Sequence, residues 1–135
     1  MVDNRTLNER YAEIGAELID SEQSLSYISD SEVTICYLSS PAKKTSNSKV
    51  VYGQCERVAD KNKWAIPCDF TITVFEPNVE GFSDEQLKVL IFHELKHIGI
   101  EKRDDGTEKY SIVPHDLEDF REVIDRFGVD WDKTI

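Results

Sequence analysis

Residues 92–98 read F-H-E-L-K-H-I, and this stretch sets the expectation for the rest of the chain. It contains the pattern H-E-x-x-H, in which His93 and His97 are four residues apart. On an α-helix, side chains at this spacing share one face and lie about 6 Å apart along the axis. Two imidazoles so arranged can bind one zinc ion, and a glutamate between them can accept a proton from the attacking water. The pattern therefore predicts a helix with His93 and His97 as metal ligands and Glu94 as the catalytic base.

The residues before the motif favour a helix at this place. Ser83 is suited to cap the first free amides, and Gln86 three residues later completes a capping box. Two acidic residues between them complement the helix dipole. We expect the helix to run from this cap to about Ile98 and to end at Gly99, which would form a left-handed cap.

The motif glutamate falls on the buried side of that helix. Leu87, Ile91 and Ile98 define an apolar arc on the helical wheel, and Glu94 lies inside it. A carboxylate in apolar surroundings costs several kcal/mol unless a charged group meets it. A bound metal would meet this carboxylate. The structural alternative is that Glu94 pairs with a basic residue while both histidines are ordinary surface or core residues.

A catalytic zinc site needs a third protein ligand. We favour His115, because it is the one remaining histidine of the chain. Glu118 and Glu122 of the last predicted helix are the competing candidates and would make a His-His-Glu site. Asp116 is suited either to accept a hydrogen bond from a ligand imidazole or to cap the last helix.

The remaining sequence predicts one α+β domain over residues 1–135. We expect a sheet of about three strands, packed with an N-terminal helix, the motif helix and a C-terminal helix. Gly53 indicates a bulge or a close backbone contact in the second strand. Asp105 and Gly106 mark a turn within a charged stretch, and residues 39–49 read as an exposed loop. The other predicted elements are helices at 4–19 and 116–127 and strands at 33–38, 50–59 and 69–75.

The last of these strands is the most regular. Its sequence D-F-T-I-T-V-F places Phe70, Ile72 and Val74 on one face and two threonines on the other, which predicts burial of one face only. In zinc peptidases an edge strand beside the metal pairs with the substrate backbone. The strand at 69–75 is either that edge strand or an ordinary core strand.

The overall charge bears on partners and location. With 16 basic and 27 acidic residues, the net charge is -11, which disfavours nucleic acid and anionic membranes because both attract clustered cations. The first residues lack the pattern of a signal peptide, and no apolar run has the length of a membrane span. The three cysteines, Cys36, Cys55 and Cys68, suit free thiols in a reducing cytoplasm. We therefore expect a cytoplasmic protein.

Three segments together resemble the phage metallopeptidase family. They are D-F-T-I-T-V-F at 69–75, F-H-E-L-K-H-I at 92–98 and P-H-D-L-E-D-F at 114–120. The family comprises short zincin-like domains of phages and bacteria that are similar to SprT-like zinc peptidases. The resemblance implies a zincin-type α+β fold and Zn²⁺ bound by His93, His97 and His115, with Glu94 as the base.

These observations predict a zinc-dependent metallopeptidase that hydrolyses a peptide or protein substrate. One alternative is a non-catalytic module, stabilised by metal, whose acidic surface binds a basic protein partner. Such a structural site would be closed by four protein ligands, whereas a catalytic site leaves a position for water. A second alternative is a regulator that cleaves a single repressor-like partner.

Overall fold

The computed structural model describes residues 4–46 and 48–114 and has α+β architecture. The helices are α1 (Glu9–Ser21), α2 (Ser26–Ser29) and α3 (Asp84–Leu95). Short 3₁₀ turns lie at Gln23–Leu25, Asp60–Asn62 and Glu76–Asn78. The strands are β1 (Thr6–Leu7), β2 (Ile35–Ser40), β3 (Thr45–Ser46), β4 (Lys49–Val50), β5 (Gly53–Arg57), β6 (Phe70–Phe75), β7 (Ile98–Lys102) and β8 (Glu108–Ile112).

The main sheet has four strands in the order β1-β2-β6-β5. Strands β2 and β6 are parallel, and the other neighbours are antiparallel. Strands β3 and β4 form one separate hairpin, and β7 and β8 form another. The expected strand count was too low, because two-residue strands and a highly charged hairpin carry no alternating apolar pattern.

Strand β6 is buried on both faces, so the prediction of a one-face-buried strand was wrong. Thr71 and Thr73 are only 5% and 0% exposed. The apolar face of β6 packs on the helices, while Arg5 and Lys44 lie over the ring of Phe75 on the other face. Because β6 is central, the edge strand is not at 69–75 either. Strand β5 occupies that edge of the sheet.

Helices α1 and α3 cover one face of the sheet, here called the helix face. Helix α1 begins later than expected, because residues 6–7 form β1 and the side chain of Asn8 caps the helix by accepting from the amide of Tyr11. Gly15 allows close contact with the sheet, since a Cβ there would lie 2.2 Å from the hydroxyl oxygen of Tyr37.

The predicted cap of the motif helix is confirmed. The side chain of Ser83 accepts from the amide of Gln86, and the side chain of Gln86 accepts from the amide of Ser83. The expected apolar arc is also buried, with Glu94 inside it at 5% exposure. A buried carboxylate on this arc is therefore a real feature of the fold.

The end of the motif helix was predicted wrongly. Helix α3 stops at Leu95, and Gly99 lies in β7 rather than in a left-handed cap. Gly99 is packed so closely on β8 that a Cβ would lie 2.6 Å from the hydroxyl oxygen of Ser111. The turn at Asp105 and Gly106 is confirmed and joins β7 to β8, with Gly106 at φ 88°. None of the helices in the described ranges has the length and apolarity of a membrane span.

Candidate active site

The two motif histidines lie side by side at the end of α3. His93 is in the last turn of the helix, and His97 is in the turn that follows. The amide of His97 donates to the carbonyl of Glu94 at 3.1 Å, so this turn keeps helix-like spacing. The ring centroids of the two histidines are 5.3 Å apart. A single cation can contact both rings at that separation.

His97 is fixed by the strand region that follows β8. Its Nδ1 lies 2.6 Å from the carbonyl oxygen of Val113, and the amide of Val113 donates to the carbonyl of His97 at 2.7 Å. A carbonyl oxygen can only accept, so Nδ1 carries the proton and Nε2 is the nitrogen suited to a metal. Metal-binding histidines typically have this second hydrogen bond, which sets the tautomer and the ring orientation.

Glu94 is held in an apolar environment beside the histidines. Burial raises the pKa of its carboxyl group to about 8. Among the residues that the structure describes, no lysine or arginine forms a salt bridge with it. The alternative in which a basic residue neutralises Glu94 therefore finds no support in these parts of the chain. A cation bound by the neighbouring imidazoles would favour the ionised carboxylate.

Strand β5 passes directly beside this glutamate. A Cβ at Gly53 would lie 3.4 Å from Cγ of Glu94 and 3.2 Å from a methyl group of Leu90, so the predicted close contact at Gly53 is confirmed. Cys55 faces the same side, and its thiol pKa is raised by burial and by the nearby charge of Glu94. The sequence did not predict that β5 is the edge strand beside the site. Gly53 was the one signal, because it indicated that the backbone of this strand lies close to another part of the chain.

The candidates for a third metal ligand lie outside the described residues. Within 4–46 and 48–114, no set of three or more His, Cys, Asp and Glu side chains is arranged to hold a metal. His115, its competitors Glu118 and Glu122, and Asp116 all lie outside those ranges, as does the predicted helix at 116–127. The described part of the site thus contributes two imidazoles and one carboxylate.

Comparison with known proteins gives one result. No curated protein and no solved structure matches the chain. The model of the family described as "Putative phage metallopeptidase" matches residues 4–135. Because that match covers almost the whole chain, the chain belongs to this phage metallopeptidase family.

Proposed function

We propose that the chain is a zinc-dependent peptidase with a minimal zincin-like fold, acting on a peptide or protein substrate in the cytoplasm. The family description indicates a metallopeptidase. One observation carries the finer proposal: a buried glutamate, without a cationic partner in the described chain, lies in sequence between two histidines whose rings are 5.3 Å apart. A carboxylate in such surroundings is costly to maintain, and a cation at the imidazoles would offset that cost.

His93 and His97 would supply two of the metal ligands, and His115 the third. The hydrogen bonds between His97 and Val113 support this choice. They hold residue 113 against a ligand imidazole, and His115 is only two residues further along the chain. Two residues span at most about 7 Å. His115 is thus within reach of the same cation on covalent grounds alone.

The chemistry of the site divides between the metal and the protein. A zinc ion held there would polarise the substrate carbonyl and make water a nucleophile at neutral pH. Glu94 accepts the proton of the attacking water and later delivers it to the leaving amine. Its burial keeps the carboxylate away from bulk water, which strengthens its interaction with the developing charges. Val113 holds His97 in the required tautomer.

Strand β5 is the part of the site suited to hold the substrate. Its inner edge pairs with β6, and no described strand pairs with its outer edge. An extended peptide can add to such an edge through main-chain hydrogen bonds. Because Gly53 lies against Glu94, a peptide on this edge passes close to the catalytic carboxylate.

The test separates metal binding from catalysis. We expect the purified protein to contain one zinc per chain by mass spectrometry and to hydrolyse casein. Glu94→Gln should keep the zinc and lose hydrolysis by at least about 100-fold, since the general base is absent. His97→Ala should lose the zinc. The exposed Glu101→Gln is the matched control and should behave as wild type.

The same experiment can refute the proposal. A Glu94→Gln protein that is as active as wild type would exclude Glu94 as the base. Zinc held by four protein ligands, with no hydrolysis in the wild type, would instead favour a non-catalytic module bound to a basic protein.

A further inference from the structure

A groove lies on the face of the main sheet opposite to the helices, here called the outer groove. Its volume is about 800 Å³, which is in the range of ligand-binding pockets. Its apolar lining includes Leu7, Leu38, Val58, Ile66 and Pro67. These side chains come from β1, β2 and the segment that links β5 to β6.

The outer groove is separate from the candidate active site. Side chains of a strand alternate between the two faces of a sheet. On β2, Tyr37 packs on the helix face against Gly15 of α1, while its neighbours Cys36 and Leu38 line the outer groove. The sheet therefore lies between the two sites, and each can be occupied without the other.

Large apolar side chains are exposed around the outer groove. Leu7 is 75% exposed and Ile66 is 40% exposed, and both line the groove. Trp64 is 87% exposed and lies in the same linking segment as Ile66. These are three of the five large hydrophobic residues that the described chain exposes. Such a concentration, next to a concave surface, is typical of a binding site for another molecule.

The charge balance around the outer groove differs from that of the whole chain. The net charge is -11, yet the segment 56–67, which supplies most of the groove lining, contains three basic and two acidic residues. Both acidic residues have cationic partners: Glu56 lies 2.9 Å from Arg5, and Asp60 lies 3.5 Å from Lys63. Arg57 lines the groove, and Lys61 lies next to a lining residue. Neither forms an ion pair within the described ranges.

We propose that the outer groove binds an extended segment of a partner protein that carries alternating apolar and acidic side chains. The apolar side chains enter the groove, and the carboxylates meet Arg57 and Lys61. A protein segment is favoured over nucleic acid because the lining is aliphatic and offers no row of aromatic rings for base stacking. It is favoured over a membrane because the apolar surface is concave.

The proposal can be tested with synthetic peptides of equal length in a fluorescence-anisotropy titration. We expect an alternating Leu-Glu peptide to bind, and Leu-Lys and Ser-Glu peptides not to bind. Ile66→Ser should weaken binding about tenfold, because apolar contact area is lost. Ile112→Ser is the matched control, since Ile112 is also 40% exposed but lies on β8.

Charge reversal tests the contact that we propose between the carboxylates of the partner segment and the basic residues at the groove. Arg57→Glu should weaken binding of the Leu-Glu peptide about tenfold, whereas Lys109→Glu, on β8, should not change it. The proposal is overturned if the Leu-Glu peptide does not bind, or if the Lys109 and Ile112 variants lose as much affinity as the groove variants. It is also overturned if single-stranded DNA, anionic vesicles or a second copy of the chain binds instead and the Ile66→Ser change abolishes that binding.

Discussion

At the scale of single residues, Glu94 serves the function that we propose, but its buried carboxylate destabilises the folded protein when no metal is bound. The residue is 5% exposed, and its Cγ lies against Gly53 of β5. A designed core would place an uncharged residue there, because an uncompensated buried charge is strongly destabilising. The carboxylate that the proposed reaction needs is therefore unfavourable for the stability of the fold.

We expect the buried carboxyl group to make the free energy of unfolding of the metal-free protein depend on pH. The pKa of Glu94 is raised from 4.5 to about 8 in the folded protein. The folded state therefore binds more protons than the unfolded state between these values, so stability falls as the pH rises through about 8. Glu94→Gln should remove this loss and be more stable than wild type at pH 9 by roughly 2–5 kcal/mol.

The measurement is urea unfolding in the presence of a chelator from pH 5 to 9. Glu101→Gln changes an exposed glutamate and should follow the wild-type curve. Parallel curves for wild type and Glu94→Gln would show that folding does not raise the pKa of Glu94.

At the scale of elements, the sequence predicted what is decided locally and missed what is decided by tertiary contacts. The capping box at Ser83 involves residues three apart, and the prediction was correct. The end of α3 depends on distant groups: the Tyr27 hydroxyl donates to the carbonyl of Ile98, and Gly99 packs on β8. The two-sided burial of Thr71 and Thr73 depends on residues that cover the outer face of β6. No periodicity within 69–75 could indicate that cover.

The contact between β5 and α3 leads to the next prediction. Gly53→Val would place new carbon atoms against Leu90, Glu94 and the backbone oxygen of Thr73, all within 3.4 Å of a Cβ at this position. Overpacking of this kind typically costs about 1–3 kcal/mol. We expect the variant to be destabilised by that amount and to lose peptidase activity while it still binds zinc.

Zinc content, urea unfolding and casein hydrolysis together test this expectation. Gln54→Val is the control, because it introduces the same side chain on the same strand but on the opposite face. If both variants lose activity equally, the strand as a whole, rather than its contact with Glu94, is responsible.

At the scale of the whole molecule, the candidate site joins parts of the chain that are far apart in sequence. Helix α3 and the turn after it provide two imidazoles and the carboxylate, β5 provides the wall beside Glu94, and the segment after β8 fixes His97. The sequence identified the residue types at the motif but not these neighbours, because strand order and hairpin packing are not encoded in a local pattern. A cation at this junction would bind only when all the parts are assembled.

Folding and zinc binding should therefore be coupled. A ligand that binds only the folded state, at 100 times its dissociation constant, stabilises that state by about 2.7 kcal/mol. We expect zinc to raise the melting temperature of the protein and a chelator to reverse the rise. Magnesium should have little effect, because it prefers oxygen ligands to imidazole. His97→Ala should abolish the zinc response in differential scanning calorimetry, whereas Lys96→Ala, in the same turn, should retain it. A zinc response that persists in His97→Ala would mean that the stabilising cation binds elsewhere, and the two-imidazole site would have to be abandoned.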